Sequence, residues 1–68
     1  MNEYLFDIKL FASIRIKAIS EREARAMITQ ALDCASINAG AWVDGSPILL
    51  EASLDGDLDL VEVGGHPV

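Results

Sequence analysis

Residues 4–18 alternate between apolar and polar positions over an unusual length. The apolar positions are Tyr4, Phe6, Ile8, Leu10, Ala12, Ile14, Ile16 and Ala18. The positions between them are mostly polar or charged, with Leu5 and Phe11 as exceptions. A period of two is typical of a strand with one buried face, so the pattern predicts a first strand over residues 4–18. No Gly, Pro or Asn interrupts this segment, and the pattern leaves open whether the strand is continuous or bends near residues 12–13.

A helix is predicted directly after this strand. Ser20 can cap the free amides of the first turn, and Glu23 stands three residues later, which is the spacing of a capping box. One side of the helix is then apolar, comprising Ala24, Met27, Ile28, Ala31, Leu32, Cys34 and Ala35. This stripe is expected to pack on the apolar face of the first strand. The helix is expected to end between Cys34 and Ser36.

The second half of the chain predicts a loop and a hairpin. Residues 37–47 contain Asn, Gly, Asp and Pro at close spacing, which is typical of a loop. Residues 48–54 and 57–63 predict two strands around Asp55 and Gly56. A three-residue turn keeps the apolar positions opposite one another and is the preferred register. That register also places Glu51 opposite Asp59, and like charges in that position are destabilising.

Together these elements predict an α+β fold of order β-α-β-β. A three-stranded, mainly antiparallel sheet carries one helix on one face, in a single domain over residues 1–63 with a flexible tail over residues 64–68. Two strand orders stay open, and the one with the last strand in the middle is preferred because it is wholly antiparallel. The first strand approaches ~50 Å at ~3.3 Å per residue, about twice the length of each hairpin strand. Its overhanging edge either bends or pairs with a second copy of the chain.

Charge is distributed very unevenly along the 68 residues, whose formal net charge is −6. All basic residues lie in the first 25 positions: Lys9, Arg15, Lys17, Arg22 and Arg25. From Ala26 onward the sequence has no Lys or Arg, and its charged residues are all Asp or Glu. This balance argues against direct binding to nucleic acid or to an anionic membrane. Charges also interrupt every apolar stretch near the N-terminus, so neither a signal peptide nor a membrane span is expected and a cytoplasmic protein is predicted.

Candidate catalytic and metal sites are weak. The segment Asp55 to Asp59 has acids at alternate positions, but a calcium-binding hand would then need Gly at position 60 and Glu at 66, where Leu60 and His66 stand. Cys34 and His66 lack a third group that would orient them as a nucleophile and base. With one cysteine, no disulfide within the chain and no cysteine-based zinc site is expected. We therefore predict no enzyme, no cofactor and no metal.

Acidic residues are the strongest candidates for function. The predicted partner-binding set is Trp42, Asp44, Glu51, Asp55, Asp57, Asp59 and Glu62. One interpretation is structural: Lys9, Arg15 and Lys17 project from the same face and neutralise these acids. The other is that the excess acid forms a surface complementary to a basic partner. Trp42 either covers the edge of the core or anchors an interface, where tryptophan is enriched.

The small size, acidity and single-domain build resemble those of small proteins of phages and mobile elements, some of which are anti-CRISPR proteins that act as DNA mimics. The stretch DCASINAGAWVDGSPILLEASLDGDLDLVEV, residues 33–63, is also similar to uncharacterised short bacterial and prophage proteins. The first resemblance implies a non-enzymatic inhibitor that occupies the DNA-binding groove of a CRISPR effector. It transfers no site residue, because it rests on no specific motif. The alternative function is a homodimeric structural or assembly module that uses the edge of the first strand.

Overall fold

The computed structural model describes residues 1–68 and has one helix and four short strands. Helix α1 spans Glu21–Ala31, and strands β1 and β2 span Ala35–Ala41 and Pro47–Ala52. Strands β3 and β4 are two-residue strands, Glu62–Val63 and His66–Pro67. The strands form two separate antiparallel sheets, β1-β2 and β3-β4. The predicted α+β class, with one helix and antiparallel strands, is therefore confirmed.

Helix α1 begins where the capping residues predict. The hydroxyl of Ser20 accepts a hydrogen bond from the backbone N–H of Glu23 at 3.1 Å. The carboxylate of Glu23 in turn accepts one from the backbone N–H of Ile19 at 3.4 Å. The first bond satisfies an amide that the first turn of a helix cannot satisfy internally, and the second holds the residue that precedes the Ser20 cap. The helix ends at Ala31, a turn earlier than predicted, with Leu32 as its C-terminal cap.

Loss of the Ser20 hydroxyl is expected to weaken the helix measurably. Ser20→Ala removes the acceptor for the amide of Glu23, and the expected cost is about 1 kcal/mol of unfolding free energy. Urea denaturation followed by circular dichroism at 222 nm measures it. Ser13→Ala is the matched control, since Ser13 is exposed and lies outside the helix. Equal midpoints for the two variants would contradict the capping role.

The main hairpin differs from the predicted one in both position and partner. The first strand of the observed hairpin is β1, of which residues 37–41 lie in the predicted loop of residues 37–47, and the turn of the hairpin lies at residues 42–46. The register places Ile37 opposite Leu50 and Glu51 opposite Ser36. The predicted register would instead have set Glu51 against an acid. The observed pairing avoids that like-charge contact and keeps an apolar pair, which is a physical reason for its preference.

The predicted three-stranded sheet and the predicted first strand are both wrong. Residues 1–18 have no regular secondary structure, and residues 53–61 form no strand. A strand needs a hydrogen-bonding neighbour as well as a period of two, and residues 1–18 pair with neither of the two sheets. The alternating segment therefore has no ladder partner within the chain. For the same reason the helix has no broad sheet face on which to pack.

Residues 62–67 form a small second hairpin. Glu62 pairs with Pro67 and Val63 with His66. Gly64 and Gly65 connect them at φ of +57° and +83°. Positive φ at both central positions is the requirement of a type I′ turn, which residues without a side chain meet without strain.

Very little of the chain is buried. Ile28 on α1 is the one buried residue, at 9% exposure. The accessible surface is 6821 Å², against about 4,200 Å² expected for a compact monomer of this mass. The radius of gyration is 15.3 Å, against about 11 Å for a compact chain of this length. The protein therefore leaves most of its apolar surface in contact with solvent.

Candidate acidic binding surface

The candidate acids lie on four consecutive parts of the second half of the chain. We define the acidic surface as Asp44, Glu51, Asp55, Asp57, Asp59 and Glu62. Asp44 lies in the turn of the main hairpin, and Glu51 lies on the exposed side of β2. Asp55, Asp57 and Asp59 lie on the irregular segment of residues 53–61, rather than on a hairpin strand. Glu62 is the first residue of β3. All except Glu62 are exposed.

Ion pairs neutralise only one member of this surface. Arg15 Nη1 lies 2.8 Å from Glu62 Oε1, with the side chain of Glu62 35% exposed. The second ion pair of the protein joins Arg25 to Glu21 within α1, also at 2.8 Å. Lys9 and Lys17 make no ion pair. Of the three basic residues expected to neutralise these acids, only Arg15 does so, by pairing with Glu62. The other five acids have no basic partner.

Trp42 lies at the turn of the main hairpin with 59% of its surface exposed. Its backbone N–H donates to the carbonyl of Ser46 at 2.8 Å, and its carbonyl accepts from the N–H of Gly45 at 2.9 Å. These bonds hold the backbone of the turn while the indole and the neighbouring Val43 face solvent. Trp42 is therefore not a lid over the core, and its position next to Asp44 combines a large apolar group with a negative charge.

The carboxylate of Asp44 is held by Ser46. Oδ1 accepts hydrogen bonds from the Ser46 hydroxyl at 2.6 Å and from the Ser46 backbone N–H at 3.0 Å. The hydroxyl bond first, and then the backbone bond, lowers the pKa of Asp44 below its ordinary value of 3.8. Hydrogen bonds to the charged form favour that form, and the turn thereby keeps Asp44 ionised.

Acid is therefore expected to loosen this turn. Because the folded-state pKa of Asp44 lies below 3.8, its contribution is complete above the unfolded pKa and is lost as the pH falls through the folded pKa. NMR titration of the Asp44 carboxyl carbon is expected to give a midpoint below 3.8, and Ser46→Ala is expected to raise that midpoint. A midpoint that Ser46→Ala leaves unchanged would contradict the assignment of the cause.

Two contacts near the acidic surface had no sequence signal. Arg25 Nη1 donates to the carbonyl of Leu58 at 2.7 Å, which ties α1 to the acidic segment between Asp57 and Asp59. Ser53 accepts from the backbone N–H of Cys34 at 3.1 Å, and its hydroxyl lies 3.6 Å from the Cys34 sulfur. These partners are 33 and 19 residues apart. Such pairs follow from the fold, and no local pattern announces them.

Residue types that bind metal ions do not cluster in the structure. No three His, Cys, Asp or Glu side chains gather closely enough to hold a metal ion. The thiol of Cys34 contacts Ser53, while His66 lies on β4. The single helix of the structure is too short and not apolar enough to cross a membrane. What the acidic surface can do chemically is present exposed carboxylates to a positively charged surface.

Comparison with known proteins identified no relative. A scan against protein-family models found no match to this chain, and searches of the curated proteins and of the solved structures found none either.

Proposed function

We propose that this protein is a non-enzymatic inhibitor that binds the basic nucleic-acid-binding groove of a protein complex and masks it. The acidic surface makes the contact, and Trp42 supplies an apolar anchor at its edge. An inhibitor of this kind is a DNA mimic, as are some of the anti-CRISPR proteins that the sequence resembles in size and charge. Such a protein acts in the cytoplasm of the host cell and needs neither a cofactor nor a metal.

The uncompensated charge of the acidic surface is the observation that carries this proposal. Five of its six acids have no basic partner, and only Glu62 is paired. Like charges without basic partners repel one another. A groove lined by Lys and Arg would remove that repulsion, and electrostatic complementarity of this kind selects a partner and speeds encounter.

Capture from host lysate at two salt concentrations tests the proposal. The tagged protein is expected to retain a nucleic-acid-binding complex at about 50 mM salt and to lose it at about 500 mM, because exposed charge contacts are screened over that range. Nuclease treatment of the lysate ensures that nucleic acid does not bridge the two. Retention of a complex without any nucleic-acid-binding component, or retention unaffected by salt, would overturn the proposal.

A further inference from the structure

Residues 4–18 carry an apolar face that nothing in the chain covers. Tyr4, Phe6, Ile8, Leu10 and Ile14 on the even-numbered side are each more than half exposed, and Phe6 reaches 78%. None of the first 18 residues donates or accepts a backbone hydrogen bond. The segment thus combines an apolar face with a full row of free backbone donors and acceptors. Such a segment can pair as a strand with a free sheet edge, and it makes no such pairing within its own chain.

Strand β2 offers such an edge. It belongs to a two-stranded sheet, so its side away from β1 has no hydrogen-bonded neighbour. Along β2, Ile48, Leu50 and Ala52 are half-buried on one face, while Glu51 is exposed on the other. The free edge of β1 is less suitable, because the pairing shifts between Asn38 and Ala41. A bulge of that kind disrupts the ladder and discourages further pairing.

We propose that the chain forms a homodimer in which residues 4–18 of each copy add a third strand to the free edge of β2 of the other copy. A segment with period two then continues the face of Ile48 and Leu50 with its own apolar side chains. Its other side carries Lys9, Arg15 and Lys17, which places basic groups on the same face as Glu51. The occupant of the edge is a second copy because the chain itself supplies a segment of period two that belongs to no sheet and whose charged side is basic where Glu51 is acidic.

The surface area supports the same occupant. Each copy exposes about 2,600 Å² more than a compact monomer of its mass is expected to expose. Obligate homodimers bury on the order of 2,000–5,000 Å² in total, and they bury mainly apolar surface. The excess of two copies, about 5,200 Å² in total, therefore corresponds to the upper end of what stable, mutual interfaces bury.

Proline substitution separates this arrangement from the isolated chain. Leu10→Pro removes one amide and restrains the backbone in the middle of the segment. Within one copy nothing is lost, since Leu10 makes no backbone hydrogen bond there. Across the dimer, the fixed φ and ring of proline distort the added strand, and the dissociation constant is expected to rise about tenfold or more. Asn2→Pro is the matched control, because Asn2 lies outside the alternating segment.

Sedimentation equilibrium between about 1 and 200 μM reads out the association directly. Amide exchange of residues 4–18 provides a second readout, and protection is expected to increase with concentration. Glu51→Lys is expected to weaken the dimer more than Asp33→Lys, which makes the same change of charge outside the strands. A chain that is monomeric at every concentration would overturn the proposal. A dimer that Leu10→Pro and Asn2→Pro affect equally would overturn it as well.

Discussion

Reversing Asp57 and Asp59 to Lys is expected to lower the affinity for the captured complex about 100-fold at ~50 mM salt. Both acids are exposed on the irregular segment beside the Arg25–Leu58 contact, and neither has an ion-pair partner. In the proposed complex they face basic groups. The variant therefore loses two attractions and gains two repulsions at the interface. Biolayer interferometry with the immobilised complex measures the change.

A charge-matched control shows whether the position of the acids or the net charge of the protein determines the affinity for the complex. Glu3→Lys with Asp33→Lys raises the net charge by the same amount, and it also replaces two exposed acids that make no ion pair. These residues lie outside the acidic surface, and screening limits their influence to about 10 Å at 0.1 M salt. An affinity loss of less than about threefold is expected for this control. Equal losses for the two double variants would mean that net charge alone governs binding.

Replacement of Ile28 by Ala is expected to unfold a large part of the protein at room temperature. Ile28 is the one buried side chain, and truncating a buried Ile to Ala costs about 2–5 kcal/mol. A domain of this length has about 3–10 kcal/mol of stability in total, and one that buries so little lies toward the lower end. The variant is expected to lose most of its ellipticity at 222 nm and its urea transition.

Met27→Ala is the matched control for this second prediction. Met27 precedes Ile28 on the same helix but is 42% exposed, and Ala has at least as high a helix propensity. Its truncation is therefore expected to cost less than about 1 kcal/mol. If Met27→Ala and Ile28→Ala shift the urea midpoint equally, the helix is held by its intrinsic propensity, and Ile28 has no special packing role.

Local signals predicted the helix well. The start of α1 depends on Ser20 and Glu23, which are three residues apart and accept from backbone amides within four residues of themselves. Capping is a short-range interaction, so the sequence contains nearly all the information that fixes it. The single-helix α+β class follows from the same kind of pattern.

Pairing between strands was far less predictable. Residues 4–18 have the clearest strand pattern in the chain, yet they form no strand, because a ladder depends on a distant edge. Asn38 and Gly40 favoured a loop, but they lie in β1 where its pairing with β2 is irregular. At Gly40 φ is +114°, a conformation that residues with side chains rarely adopt. Breaker residues thus mark an irregular strand here, and composition alone does not distinguish the two.

The candidate site was predictable in its charge and unpredictable in its pairing. An excess of acid in the second half is visible in the sequence itself. Which acids stay unpaired depends on contacts such as Arg15 with Glu62, whose residues are 47 positions apart. From the sequence, Lys9 and Lys17 could pair with an acid as readily as Arg15. Only the fold shows that Arg15 forms such an ion pair and the two lysines do not. The exposed position of Trp42 likewise depends on where the hairpin turns.

Competition with nucleic acid tests the central claim most directly. A fluorescently labelled duplex is bound to the captured complex, and its anisotropy is followed while the protein is added. If the acidic surface occupies the nucleic-acid groove, the duplex is displaced at near-stoichiometric protein, and the Asp57→Lys, Asp59→Lys variant needs about 100-fold more. If the duplex stays bound while the protein also binds, the two occupy different sites, and masking of the groove is contradicted.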